Sequence, residues 1–467
     1  MHRWRSQILI LALILSSQLA VQAQPKTEGN IFPDTTATPF LPTVYTVGDI
    51  VITGNNKTKA AIILREMALH TGESYQVQEL LQKMEDSRKQ LMNTTLFNSV
   101  VVAAKDFQAD KVDILVEVKE RWYLFPVPVL RPADRDFNQW LFERNASLKR
   151  VEYGLKVLYN NATGRNDKLR LWLINGYTKQ VSFTYDRVFD NKLKWGLNTA
   201  FAYGMNREMS YNTIDDKQVF YKDSRFIRSF INARAGVSYR KEIRTRHSFG
   251  ITFTSEEVSD SVVRLNPSYF KPGRNRAGFP GLYYMFDFID LDYVPYPTNG
   301  NATRITLSKN GFNHVMDLWQ LQFNGAFYRR ISPLSFVEVN TYGTIKLPFK
   351  QPYFNKRMLG YGDIFMQGYE YYVIDGVAGG YIKTAFTHEF ANFSLKKIPF
   401  RIFGKIFGNA GYVHDPEPGT NELTNKMLFS GGFGIDILTL YDVTVKLEWS
   451  FNQLGQNGIF LHRKTIF

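Results

Sequence analysis

His388-Glu389 opens like the zinc-binding pair of a metalloprotease helix, but Asn392 stands where that spacing requires a second His. No Gly-x-Ser-x-Gly elbow and no Gly-rich phosphate loop with its Lys occurs either. The seven His residues are scattered. With zero Cys, disulfides and thiolate metal sites are excluded together. No cofactor and no metal is therefore expected. A hydrolase would have to assemble its triad spatially, without a local motif to mark it. The reading favours a protein that is not an enzyme.

The elements point elsewhere. Arg3 and Arg5, the apolar run Ile8 to Leu15 and the small residues of Val21-Gln22-Ala23 predict a secretory signal peptide over residues 1–23. That run is too short to cross about 30 Å of hydrocarbon. Residues 24–43 are rich in Pro and Thr without periodicity and read as a flexible leader. The formal charge is +14, and removal of Arg3 and Arg5 leaves +12. Because the basic residues are scattered along alternating segments, nucleic acid is not the expected partner. Anionic outer-membrane lipids or a polar lumen suit them better.

Residues 44–125 read as one α+β module ordered strand, helix, helix, strand, strand. Thr58 is placed to cap the first helix, which runs to about Leu69, and Gly72 stops it. The second helix runs from about Gln76 to Met92, and strands follow at 99–105 and 112–122. After Pro126, Pro128 and Pro132 the texture changes. Val443, Val445, Leu447, Trp449 and Phe451 alternate with Thr444, Lys446, Glu448 and Ser450; Phe249, Ile251 and Phe253 alternate with Ser248, Gly250 and Thr252. This dyad fits a sheet with one face in lipid and the other in a polar lumen. About fifteen candidate strands lie between Val151 and Phe467, and the even count usual in such barrels predicts sixteen. The fold class is thus an α+β domain followed by an all-β transmembrane barrel, placed at residues 145–467. The longer stretches 204–224, 256–281 and 347–377 are expected outside the cell.

At this point the residues resemble the BamA/TamA superfamily of outer-membrane insertases and translocators. Ile50-Val51-Ile52-Thr53-Gly54-Asn55, Ile63-Leu64-Arg65-Glu66, Leu96-Phe97-Asn98-Ser99-Val100 and Val116-Glu117-Val118 look like a polypeptide-transport-associated (POTRA) domain. In the barrel, Tyr296-Pro297-Thr298-Asn299-Gly300 resembles the family's aromatic-Pro-x-x-Gly approach to a mid-barrel strand. Met366-Gln367-Gly368-Tyr369 stands at the lumen-loop motif, and Phe433-Gly434-Ile435-Asp436 at the late-strand motif whose Asp meets that loop. Alternation puts Ser430, Gly432, Gly434 and Asp436 on the lumen side. The family's loop Arg is Gln367 here, so no charge pair with Asp436 can form. A neutral amide bond is roughly half as strong as a charge-assisted one, which leaves Tyr369, Glu370 and Arg357 as other anchors.

The resemblance implies an assembly factor that captures unfolded outer-membrane or exported polypeptides, with accessory periplasmic or lipoprotein subunits as further partners. Capture is expected by strand addition at the module's edge, on Val100, Val101, Val102 and Ala103. Clients would then pass to a seam between residues 151–159 and the irregular last strand ending at Phe467, the barrel's terminal aromatic signal. A translocator exporting one partner and a passive pore are the alternatives.

Overall fold

The computed structural model describes residues 44–132, 145, 147–188, 194–396 and 398–464. The expected signal peptide, the leader and Phe467 lie outside these residues.

The N-terminal domain is built from β1 (Val44–Thr53), α1 (Ala60–Arg65), β2 (Ser74–Gln76), α2 (Val77–Asn93), β3 (Phe97–Gln108) and β4 (Lys111–Glu120). The sheet order is β2-β1-β4-β3, with β1 and β4 parallel and the outer pairs antiparallel. Ile62, Ile63, Leu80, Met84 and Leu91 of the helices close over Val47, Val112, Ile114 and Val116 to make its core. Thr58 does not cap α1: Lys59 holds the N-cap position and no side chain bonds there. The Thr58 hydroxyl is engaged by Tyr123 at 3.1 Å and Asn161 at 2.8 Å instead. The tertiary partners outcompete the local cap.

Sixteen antiparallel strands then form one sheet. They are β5 (Leu124–Pro132), β6 (Val151–Asn160), β7 (Lys168–Gly176), β8 (Thr178–Val188), β9 (Trp195–Asn206), β12 (Arg228–Tyr239), β13 (Thr245–Val258), β14 (Arg276–Leu291), β15 (Gly300–Asn310), β16 (Leu318–Ser332), β17 (Ser335–Leu347), β20 (Ala378–Leu395), β21 (Ile398–His414), β22 (Met427–Leu438), β23 (Thr444–Asn452) and β24 (Asn457–Lys464). The sheet begins at Leu124, not at residue 145, and fifteen of its strands fall after Val151. The sixteenth, β5, carries Pro126, Pro128 and Pro132, which read in sequence as a break. An edge strand tolerates proline because its outer N–H groups have no ladder partner to lose.

Outward residues are exposed and apolar, as at Phe249, Ile251, Phe253, Leu447, Trp449 and Phe451, while Glu448, Ser450 and Asn452 are buried on the inner face. Among the described residues no helix is long and apolar enough to cross a membrane. One rim carries short turns and faces the N-terminal domain. The far rim carries the hairpin β10 (Glu208–Ile214) and β11 (Lys217–Lys222), the helix α3 (Asp260–Leu265) and the loop 348–377, which holds β18 (Arg357–Leu359) and β19 (Ile374–Asp375). Tyr269, Phe270, Met316 and Tyr353 pack together among these far-rim segments.

Candidate functional site

Two open strand edges define the site. In the N-terminal domain β3 pairs, among the described residues, only with β4, which leaves its other side as an edge of the sheet. Val100 points into the core, Val101 is exposed, and Val102 and Ala103 are half-buried. Main-chain groups, rather than a side-chain pocket, are what this edge offers.

The second open edge is in the barrel. Among the described residues no ladder joins β5 to β24, the first and last strands of the sheet. The expected seam at residues 151–159 is displaced by one strand, because β6 is fully paired with β5 on one side and β7 on the other. The two ends of the sheet are instead 124–132 and 457–464.

Inside the barrel the loop 348–377 packs against β22 and β23 next to that seam. Gly368 makes the closest approach. A Cβ there would stand 2.8 Å from the Ser430 side chain and 3.0 Å from the Phe451 carbonyl. Asn452 donates to the Gly368 carbonyl at 2.6 Å, and the Tyr369 hydroxyl donates to the Phe429 carbonyl at 3.2 Å. Glu370 accepts the Gly368 N–H at 2.8 Å and lies 3.6 Å from His462 on β24. His462 also stacks on Phe365 at 4.7 Å, and Phe460 meets Tyr371 at 5.3 Å. Tyr369 and Glu370 thus hold the loop on this side of the lumen, whereas Arg357 joins it to β17: its carbonyl accepts the Lys346 ammonium at 2.6 Å and its guanidinium lies over Tyr361.

Gln367 and Asp436 do not meet. The loop docks at Ser430, and Asp436 is six residues further down β22, about 20 Å at a rise of about 3.4 Å per residue. The partners of Asp436 are Lys405 at 2.8 Å, Lys446 at 3.5 Å and the Tyr296 hydroxyl at 3.2 Å. Register explains the cluster. Lys405 on β21 and Glu448 on β23 both lie opposite Gly434 of β22. With no side chain between them they meet over the glycine at 2.5 Å. A Cβ at Gly434 would sit 2.7 Å from the Leu447 carbonyl and 3.0 Å from Glu448. Glu448 also lies 3.4 Å from His462, so the network runs from Tyr296 to the last strand. Tyr296, from the aromatic-Pro stretch, lies tilted against Phe403 with ring centroids 4.5 Å apart. The lumenal positions of Lys446 and Glu448 follow from alternation, but their partners require a strand register that no local motif encodes.

The opposite wall is cationic. A cavity of about 660 Å³ is lined by Lys168, Arg170, Arg234, Arg246 and Arg304, with Asp186 and Asp287 as its acids. Arg304 pairs with Asp287 at 2.5 Å. Among the described residues no three His, Asp or Glu converge as a metal site.

The N-terminal domain docks on the near-rim turns of the barrel. Arg121 donates to Asp442 at 2.6 Å and to the Tyr293 hydroxyl at 3.1 Å. Asn93 donates to the Leu291 carbonyl at 2.8 Å and accepts the Val294 N–H at 2.9 Å. Arg240, in the β12–β13 turn, grips both oxygens of Glu66 at 2.6 and 2.8 Å. Burial pushes the Glu66 carboxyl up, but Arg240 and then Arg65 outweigh it and hold it below the usual carboxylate range.

A family model described as POTRA, surface antigen variable number repeat, matches residues 45–121. The outer membrane protein assembly factor BamA of Neorickettsia risticii (strain Illinois) is 26% identical over 263 residues, 56% of this chain and 31% of that protein. The chain thus spans about a third of the length of that curated relative. BamA of Haemophilus ducreyi lacking POTRA domains 1–3 superposes with a TM-score of 0.52 at 14% identity, over 90% of this chain and 83% of the other. CdiB from Escherichia coli superposes with a TM-score of 0.56 at 9% identity, over 90% and 75%. These two structures share the fold.

Proposed function

We propose that this chain is a POTRA-plus-barrel protein of the BamA/TamA type, an outer-membrane assembly factor with its POTRA domain in the periplasm. The observation that carries the reading is the lack, among the described residues, of a ladder between β5 and β24, beside a lumen loop clamped to the last strand. A closed pore has no use for two unpaired edges, which are a liability in any sheet unless something is meant to pair with them. In this reading β3 takes up an extended client segment through main-chain bonds, tolerant of sequence. The client then passes to the seam, where its strands enter the bilayer. Unfolded outer-membrane polypeptides are the substrates, lipids surround the seam, and accessory subunits would dock on the exposed faces of the POTRA domain. The chemistry is non-covalent throughout.

A second reading, export of one partner through the lumen, is favoured by the cationic cavity. Depletion separates the two. Loss of many barrel proteins from the outer membrane supports assembly. Loss of a single exported protein supports translocation, and loss of solute uptake alone would overturn both.

A further inference from the structure

The inner face of strands β7 to β15 gathers positive charge that the protein itself leaves unanswered. Arg170 and Arg234 stand on one cross-strand row, through Thr184 of β8 and Ala200 of β9. Three strand spacings separate them, about 14 Å along the wall. The next row toward the near rim runs from Lys168 through Asp186, Asn198, Gly236 and Gly250 to Tyr283. Arg246, Asp287 and Arg304 share a row still nearer that rim. Between Arg170 and Arg234 the wall holds only two short residues, and the row beside them holds two glycines. The hollow they leave is the cavity of about 660 Å³. Tyr283 floors it. Its hydroxyl donates to the Asn198 side chain at 2.6 Å, and a Cβ at Gly236 would collide with that hydroxyl. The Arg234 guanidinium lies 5.2 Å from the centre of the same ring, which fixes it at the cavity wall.

The charges do not cancel. Arg304 is taken by Asp287. Asp186 is within electrostatic reach of Lys168, Arg170, Arg234 and Arg246 at once. One acid thus serves four cations, an excess of three positive charges. Among the described residues Lys168, Arg170 and Arg246 make no hydrogen bond or ion pair. Gathered like charges repel, so the cluster weakens the empty barrel unless an anion answers it. An approach to the site exists. A second cavity of about 240 Å³, lined by Glu66, Asn93 and Thr94 of the N-terminal domain, shares Lys168, Arg246 and Arg304 with the first.

We propose that this hollow binds an anion carrying two phosphate groups, held by Lys168, Arg170, Arg234 and Arg246. A phosphate monoester carries about −1.5 to −2 at neutral pH, so two of them answer an excess of three. Guanidinium forks from three different strands suit phosphate oxygens approached from several sides. The volume falls within the roughly 300–1,000 Å³ of small-ligand pockets. The site goes beyond both readings above and depends on neither.

Pyrophosphate is the probe, titrated calorimetrically into the full chain in phosphatidylcholine nanodiscs. Inorganic phosphate should bind at least about tenfold more weakly, because it offers one group to four cations. Arg170→Gln with Arg246→Gln should weaken pyrophosphate binding at least about tenfold. Lys350→Gln with Lys426→Gln removes the same charge from exposed far-rim positions and should leave binding within about twofold. Because the chain has no native Cys, Thr184→Cys gives a second readout that spares the arginines. Pyrophosphate should slow its reaction with an uncharged thiol reagent at least about fivefold and leave Asn340→Cys, on β17, unchanged. Protection in plain nanodiscs assigns a soluble phosphate compound. Protection only when cardiolipin is added to the nanodiscs assigns a lipid headgroup, and either result supports the site. No protection from either source, binding that ignores the arginine replacements, an equal loss with the far-rim pair, or equal protection by triglutamate overturns the assignment.

Discussion

Replacing Glu66 by Gln should loosen the POTRA domain from the barrel rim. Glu66 is 2% exposed and takes two bonds from Arg240, at 2.6 and 2.8 Å, with Arg65 at 2.7 Å. Removing one partner of a buried ion pair costs about 3–5 kcal/mol, because the remaining charge is left uncompensated. Arg240 keeps its bonds to the Ile243 carbonyl, and its side chain is 18% exposed, so the lower end applies. A loss of about 3 kcal/mol lowers the docked-to-undocked ratio about 150-fold. Spin labels at Glu79→Cys and Leu334→Cys report it by pulsed electron resonance. The parent should give one narrow distance, and Glu66→Gln should add a broad second population. The pH dependence has a fixed sign. Docking holds the Glu66 pKa below its undocked value, so its contribution is full above the ordinary carboxylate range of about 4.3 and is lost as pH falls through the docked value. The parent should therefore acquire the broad population on acidification, while Glu66→Gln changes little with pH. Superimposable distances for the two proteins at pH 7 would refute the latch.

Other consequences follow from the lumen. Gly434→Val places a side chain between Lys405 and Glu448, against the Leu447 carbonyl, and should cost about 2–4 kcal/mol. Heating in detergent should then unfold the barrel at a lower temperature, whereas Gly408→Ala on β21, whose added Cβ would meet only the Thr384 hydroxyl at 3.9 Å, should shift it only slightly. Arg170→Gln with Arg246→Gln should weaken the cationic wall. In planar bilayers under a salt gradient, any conductance of the Glu66→Gln protein should favour anions, and these two replacements should move its reversal potential toward zero.

The barrel was legible because alternation is a local property. Phe249, Ile251 and Phe253, or Leu447, Trp449 and Phe451, announce a lipid-facing row without any knowledge of their neighbours. Strand β5 was hidden because three prolines look like a break, and only its place at the edge makes them harmless. The lumen side of Asp436 was readable for the same reason as the lipid rows, but its partners were not. Lys405, Lys446 and Tyr296 lie 31 residues before it, 10 after it and 140 before it in the chain, and only cross-strand register brings them together. Thr58 shows the reverse error, since a good local cap was taken by tertiary hydroxyl and amide partners.

The central claim is tested most directly by following an unfolded eight-stranded barrel client into phosphatidylcholine vesicles, with and without this protein in the membrane. Folding into the heat-modifiable, protease-resistant form should be at least tenfold faster when the protein is present. An excess of a soluble peptide that occupies the β3 edge should remove that acceleration. Equal folding rates with and without the protein would contradict the account.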